Sequence, residues 1–206
     1  MKLNLPNKLT VLRLCLVPVF LIIGMLPASV IPFYVSCVVC AVLFIGTALT
    51  DMFDGKIARR DGLITDFGKF LDPVADKFMV IGALFVILYK FENLKIAMIF
   101  TLIVIVFREL AVTSMRLVVS TGEGIVIAAN SLGKIKTVSQ IVFISTVFLE
   151  PVVEYLVELI VGGAENNIIH GIYPLTWLSM AFTVVMTIWS GVNYIMAYWK
   201  YLDPEK

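Results

Sequence analysis

Residues 51–76 read DMFDGKIARRDGLITDFGKFLDPVAD. Six acids, Asp51, Asp54, Asp61, Asp66, Asp72 and Asp76, fall in this stretch, and the chain on either side of it is strongly apolar. The flanking runs predict helices over 33–54 and 70–89, each near the roughly 20 residues that a bilayer crossing requires. The acids therefore gather where two apolar helices reach a polar boundary, and an unpaired carboxylate is expensive there. Asp51 and Asp54 are three apart at the end of the first helix, while Asp72 and Asp76 are four apart at the start of the next. Each pair shares one helix face. A short loop turns the second helix back against the first, which sets four carboxylates opposite one another.

Such a cluster repels itself at neutral pH unless cations neutralise it. Oxygen donors with no nearby His or thiolate favour hard ions, Mg²⁺, Mn²⁺ or Ca²⁺, and a pair of divalent cations balances four carboxylates. Asp61 and Asp66 share no face with the four and read as solvated loop residues. Asp72 has a second reading: Asp before Pro73 is a common helix start, with Asp as N-cap. Capping leaves Asp51, Asp54 and Asp76 unexplained. Gly55 and Ala58 continue the face of the first pair, and Gly68 lies one turn before Asp72. These small residues either let a ligand approach the backbone or let helices pack closely. Arg59, on the same side, suits a phosphate or pyrophosphate beside divalent ions.

The whole chain has 206 residues, 60% of them hydrophobic and 15% charged, where a soluble domain carries about 25% charged residues. That excludes a soluble globular domain and a disordered chain. With 16 basic and 15 acidic residues, the net charge gives no bulk reason to bind nucleic acid. Apolar runs predict an all-α polytopic membrane protein, one domain over 1–206, with six transmembrane helices at 9–26, 33–54, 70–89, 95–119, 132–153 and 174–199. An even number puts both termini on one side. If that side is cytoplasmic, every Lys and Arg except Lys90 and Lys95 lies inside, a clear positive-inside bias.

Cys15, Cys37 and Cys40 lie within apolar runs and read as packing residues rather than a disulfide framework. The segment 150–170, with Glu150, Glu154, Glu158 and Glu165, reads as a solvated outer cap with a short amphipathic stretch over 152–161. His170, the only histidine, falls in it. Gly122 and Gly124 follow no predicted strand and form no dinucleotide loop. Trp177, Trp189 and Trp199 fit an interfacial aromatic belt. Arg108 and Arg116 are eight apart on roughly one face of a long apolar run, which argues for a polar cavity, and Glu109 is placed to orient one of them.

The spacing Asp51, Asp54, Gly55, Ala58, Arg59, Gly68, Asp72, Asp76 resembles without departure the signature of the CDP-alcohol phosphotransferase family, integral membrane enzymes that join a CDP-activated group to an alcohol. Residues 5–13 with Thr10 and Arg13, Arg108-Glu109-Leu110 with Arg116, and Gly133-Lys134-Ile135-Lys136-Thr137 resemble one branch, the bacterial phosphatidylglycerophosphate synthases. The resemblance implies six spans around a cytoplasm-facing cavity, both termini cytoplasmic, in a bacterial cytoplasmic membrane, and a homodimer. It implies two divalent cations, Mg²⁺ or Mn²⁺, held by Asp51, Asp54, Asp72 and Asp76, with Asp76 also the general base. Gly55, Ala58, Arg59 and Gly68 would hold the CDP portion. The substrates implied are CDP-diacylglycerol and sn-glycerol 3-phosphate. The acceptor's non-reacting phosphate calls for a second anionic pocket, with Thr10, Arg13, Arg108, Arg116, Lys134 and Lys136 as candidates. Two rivals remain at this point: a family member with another acceptor (inositol phosphate, serine or phosphatidylglycerol) and a divalent-cation transporter, because intramembrane acids also mark ion pathways.

Overall fold

The computed structural model describes residues 4–60, 65–122, 131–161 and 173–199; the side chains of 53–60, 66, 69, 120–122 and 161 fall outside the description. The described residues form six long helices and no strand: α1 (Leu5–Met25), α2 (Phe33–Arg60), α3 (Asp66–Lys90), α4 (Lys95–Gly122), α5 (Ser131–Val161) and α6 (Pro174–Tyr198). All six expected helices are present, and most run past their expected ends because polar residues cap or extend them. Asn4 accepts a hydrogen bond from the Asn7 backbone N–H, and Pro6 sits in the first turn, so α1 starts four residues early. Thr65 caps α3 by accepting from the Gly68 N–H. Asp72 therefore lies inside the helix, and its reading as an N-cap is overturned.

Side-chain contacts fix the direction of every helix. At one end Asn7 of α1 meets Thr65, Arg13 meets Asp51 of α2, and Lys77 of α3 meets Thr113 of α4. Arg108 of α4 meets Ser190 of α6, and Glu109 meets Lys136 of α5, at that same end. At the other end Lys90 donates to the Gly24 carbonyl and to Ser36, while Phe91 packs on Phe33, Phe148 and Tyr173. The six helices thus alternate in direction. Their packing closes a ring in the order α1, α2, α5, α6, α4, α3. The expected direct packing of α3 on α2 is slight; α1 lies between them and braces both.

Fully buried Phe20, Phe44, Leu84, Ile87, Phe143 and Phe148 fill the ring. Edge-to-face contacts of Phe20 and Phe91 with Phe148, at 5.9 and 6.2 Å, pack shut the end away from the polar contacts. The outside is apolar instead of charged: Phe100, Phe107, Ile160 and Leu178 are all at least 67% exposed. Thr101, Thr183, Thr187 and Ser190 are buried. Apolar outside and hydroxyl-bearing inside is the arrangement of a protein whose solvent is lipid. Five helices are long and apolar enough to cross a membrane by themselves. The sixth, α3, falls short because its opening turns carry Lys69, Asp72, Asp76 and Lys77 before the apolar run from Phe78 to Tyr89.

The reading of 150–170 as a solvated cap needs correction for its first part. Glu150 is only 7% exposed, and α5 continues past it and past Pro151 to Val161. Tyr173, which precedes α6, has left-handed φ and supplies no side-chain cap. The Glu150 carboxylate takes that place, accepting from the backbone N–H groups of Leu175 and Thr176 at 2.8 and 2.7 Å. Glu165, His170 and Gly124 lie outside the described residues. Cys37 and Cys40 are buried in the core and Cys15 is on the exterior, all as free thiols.

Candidate active site

The N-terminal turns of α1 present Asn7, Thr10 and Arg13 at intervals of three residues, and all three are buried. Each engages a residue of the acidic stretch. Asn7 Nδ2 donates to Thr65 Oγ1 at 2.9 Å, Thr10 Oγ1 donates to Asp72 Oδ1 at 2.6 Å, and Arg13 Nη1 donates to Asp51 Oδ1 at 2.5 Å. One helix face thereby holds the end of α2 and the start of α3 in register. Asp51, Asp72 and Asp76 all line one cavity of about 660 Å³. Thr10 and Arg13 join the carboxylates and not the basic residues with which they were grouped from sequence.

The facing wall is basic. Arg108 Nη2 donates to Ser190 Oγ at 2.7 Å and its Nη1 to Glu109 at 3.3 Å. Its Nε is buried with no hydrogen-bond partner among the described residues. Glu109 also accepts from Nζ of Lys136, a residue only 2% exposed. Arg116 donates to the Tyr194 hydroxyl at 3.0 Å and lies over the ring of that residue. Arg108, Arg116, Lys134 and Tyr194 line the cavity opposite the acids, and Lys77, bonded to Thr113 at 2.5 Å, stands beside Asp76. A smaller chamber of about 70 Å³ continues inward past Asp51 and Asp76 and includes Arg13, Glu109, Lys136 and Gln140.

The donor chemistry of the acidic wall fits hard divalent cations. Three cavity-lining carboxylates are set against one paired guanidinium, one hydroxyl and the Lys77 ammonium, leaving oxygen atoms and negative charge in excess. Among the described residues no group of three converges into a finished metal cage. Asp54, the fourth carboxylate of the set, belongs to the side chains outside the description, as do Gly55, Ala58 and Arg59. Gly68 is buried against α1, and a Cβ there would stand 2.9 Å from Asn7 Oδ1 and 3.3 Å from Thr65 Oγ1. The space beside this glycine is filled by protein.

Several residues of the site were missed from sequence. Lys77 looked like a topological charge. Ser190 and Tyr194 sit in the final third, which carried no motif. A signal for them exists: the buried residues of α6 are Thr176, Met180, Thr183, Thr187, Ser190 and Tyr194, spaced alternately four and three apart. A hydroxyl-rich stripe at that period in an apolar span marks a face turned to other helices or to a cavity.

Residues 3–189 match the family model described as CDP-alcohol phosphatidyltransferase. The chain is 40% identical over 211 residues to the CDP-diacylglycerol–glycerol-3-phosphate 3-phosphatidyltransferase of Bacillus subtilis (strain 168), with 98% of each chain covered. It is 32% identical over 206 residues to the protein of the same name from Yersinia enterocolitica, covering 99% of this chain and 100% of that one. A third such protein, from Sodalis glossinidius, is 32% identical over 198 residues, with 96% of each chain covered.

Proposed function

The chain belongs to the CDP-alcohol phosphatidyltransferase family, and from that premise we propose that it transfers the phosphatidyl group of CDP-diacylglycerol to sn-glycerol 3-phosphate, giving phosphatidylglycerophosphate and CMP. The observation that carries this reading is one cavity with carboxylates on one wall and Arg108, Arg116 and Lys134 on the other. The acidic wall suits a cation-bound pyrophosphate, and the basic wall suits an acceptor that brings its own phosphate. An alcohol with no phosphate leaves the basic wall without a purpose. A transmembrane cation path has no support, because Phe20, Phe91 and Phe148 pack the far end shut.

Asp51, Asp54, Asp72 and Asp76 would hold two divalent cations, Mg²⁺ or Mn²⁺, which when bound neutralise charge on the pyrophosphate and the departing CMP. Gly55, Ala58, Arg59 and Gly68 would hold the CDP portion, with Gly68 acting through the backbone. Asp76, exposed to the cavity, takes the proton of the acceptor's primary hydroxyl as that oxygen attacks the β-phosphorus. The bond from the β-phosphorus to the oxygen bridging to CMP breaks in the same displacement, and CMP carries away its electron pair. Arg108, Arg116 and Lys134 hold the acceptor's phosphate, Lys136 is held by Glu109 behind them, and Arg13 and Thr10 keep Asp51 and Asp72 in place. The protein's share is positioning and electrostatics.

The acyl chains of the lipid substrate stay in the leaflet while its head group enters the cavity. That suits a bacterial cytoplasmic membrane with all six helices crossing and both termini cytoplasmic. In support, the first turns of α1 and the last turns of α6 both lie at the cavity end. Homodimerisation follows from the family resemblance and is checked by cross-linking in native vesicles. The test of the activity is purified protein with CDP-diacylglycerol, Mg²⁺ or Mn²⁺ and a panel of alcohols, scored for CMP release. Release with sn-glycerol 3-phosphate well above inositol phosphate, serine and phosphatidylglycerol is expected. A stronger response to another alcohol reassigns the acceptor.

A further inference from the structure

The inner chamber ends on Gln140 of α5, a residue only 3% exposed, whose Nε2 has no hydrogen-bond partner among the described residues. Most other polar groups around it are committed, Lys77 to Thr113 among them, and Asp76 is the one carboxylate there reserved for the reacting hydroxyl. Arg13 bonds Asp51, Lys136 bonds Glu109, and the Thr47 hydroxyl donates to the Phe44 carbonyl at 2.8 Å. Gln140 is therefore a neutral N–H donor held at the bottom of a polar recess, with Asp76 and Lys136 beside it and Phe44 and Met79 completing the wall. Native proteins leave few buried donors unmet, and those they keep are commonly completed by a ligand or a bound water.

The matching partner is a hydroxyl. A phosphate needs cations to spare, and the chamber's own, Arg13, Lys77 and Lys136, are bonded to Asp51, Thr113 and Glu109, while Arg108, Arg116 and Lys134 line only the outer cavity. The chamber's volume, about 70 Å³, accommodates a carbon bearing a hydroxyl. With the acceptor's phosphate on the basic wall and its reacting hydroxyl at Asp76, the remaining hydroxyl on the middle carbon is the group left to point inward. We propose that Gln140 is a specificity-determining residue that donates a hydrogen bond to this non-reacting hydroxyl. The inference rests on the acceptor assigned above and adds the atom by which the acceptor is distinguished from simpler phosphorylated alcohols.

The test compares sn-glycerol 3-phosphate with 3-hydroxypropyl phosphate, which has the same chain and lacks only the middle hydroxyl. Both are assayed by CMP release from CDP-diacylglycerol in the purified full-length protein, Gln140→Met and Gln140→Asn. Wild type is expected to prefer the natural acceptor in kcat/KM. Gln140→Met should lose roughly tenfold with sn-glycerol 3-phosphate, the range of one hydrogen bond in a buried site, and change little with 3-hydroxypropyl phosphate. Gln140→Asn, which keeps the amide but withdraws it by one carbon, should fall between, and the KM for CDP-diacylglycerol should not move. Retained turnover of the deoxy acceptor also reports that a variant is folded. An equal loss with both acceptors, or no loss with either, overturns the proposal and leaves Gln140 a packing residue satisfied by water. Failure of wild type with both acceptors overturns the acceptor assignment instead, and the proposal with it.

Discussion

Replacing Gly68 by Ala separates two meanings of a small residue, room for a ligand and room for the protein's own side chain. An added Cβ would sit 2.9 Å from Asn7 Oδ1, about half an ångström inside an ordinary carbon–oxygen contact. Asn7 is 6% exposed and cannot swing into solvent. Its amide is held by Thr65, with Nδ2 donating at 2.9 Å and Oδ1 lying 3.1 Å from the Thr65 hydroxyl, and Thr65 is itself the cap of α3. Displacing Asn7 costs this pairing, about 1 kcal/mol per neutral hydrogen bond, plus residual overpacking of about 1–3 kcal/mol. A total near 3 kcal/mol lowers the apparent thermal midpoint of a chain this long by roughly 6–12 °C.

Asn7→Ala alone gives up only the pairing, about 1–2 kcal/mol. In the double variant the new methyl no longer meets Asn7 Oδ1 and keeps only the looser 3.3 Å approach to Thr65 Oγ1, so its stability should lie close to that of Asn7→Ala alone, a coupling approaching the roughly 3 kcal/mol cost of Gly68→Ala. Thermal unfolding in detergent and CMP release are read on all four proteins. Costs that add to within about 0.5 kcal/mol would falsify the steric argument. A different result, stability restored in the double variant but turnover still lost while Asn7→Ala is active, places the bound CDP portion against Gly68.

Asp76→Asn should abolish CMP release while CDP-lipid binding persists; near-normal product formation would refute the general-base role. Arg116→Ala removes a cavity-lining cation and its bond to Tyr194, so the KM for sn-glycerol 3-phosphate should rise more than that for the lipid. Equal changes in both would count against the acceptor pocket. Glu150→Gln keeps the shape of the α6 cap but weakens two charge-assisted bonds to backbone N–H groups, at a cost of about 1–2 kcal/mol. The thermal midpoint should drop with kcat unchanged at low temperature, since Glu150 lies at the end away from the cavity; lost turnover at full stability would contradict that separation.

The helices were legible because a bilayer demands runs of apolar residues of nearly fixed length, and such runs survive any uncertainty about packing. Their ends were less legible. Asn4 and Thr65 are ordinary polar residues until the backbone N–H groups they cap are seen, and Glu150 looked solvated because its partners lie 25 and 26 residues away on another helix. The acidic stretch announced itself because carboxylates at that density are costly at a membrane boundary, and Asp51, Asp72 and Asp76 do line one cavity. Helical periodicity says which residues share a face and is silent on which helix that face meets. For that reason Thr10 and Arg13 were grouped with distant cations when they brace nearby carboxylates, and the Thr183–Tyr194 stripe passed unread although its spacing was visible.

The balance of 16 basic and 15 acidic residues takes on meaning once the charges are placed on walls. On the acidic side Asp51, Asp72 and Asp76 are set against Arg13 and Lys77, and on the basic side Arg108, Arg116, Lys134 and Lys136 are set against Glu109, with Lys136 reaching the chamber that Asp76 also lines. Each wall is charged in excess, and the excesses have opposite sign. Direct pairing across the cavity would cancel them, at the cost of losing the space between. The small internal partners prevent this: Arg13 and Thr10 pin two carboxylates back onto α1, while Ser190, Glu109 and Tyr194 hold Arg108, Lys136 and Arg116 against α4, α5 and α6. Two pinned walls of opposite charge form a site that only a matched set of charges can fill, cations on one side and an anionic acceptor on the other. The residues that touch no substrate are therefore as necessary to the chemistry as those that do, because they keep the cavity from neutralising itself.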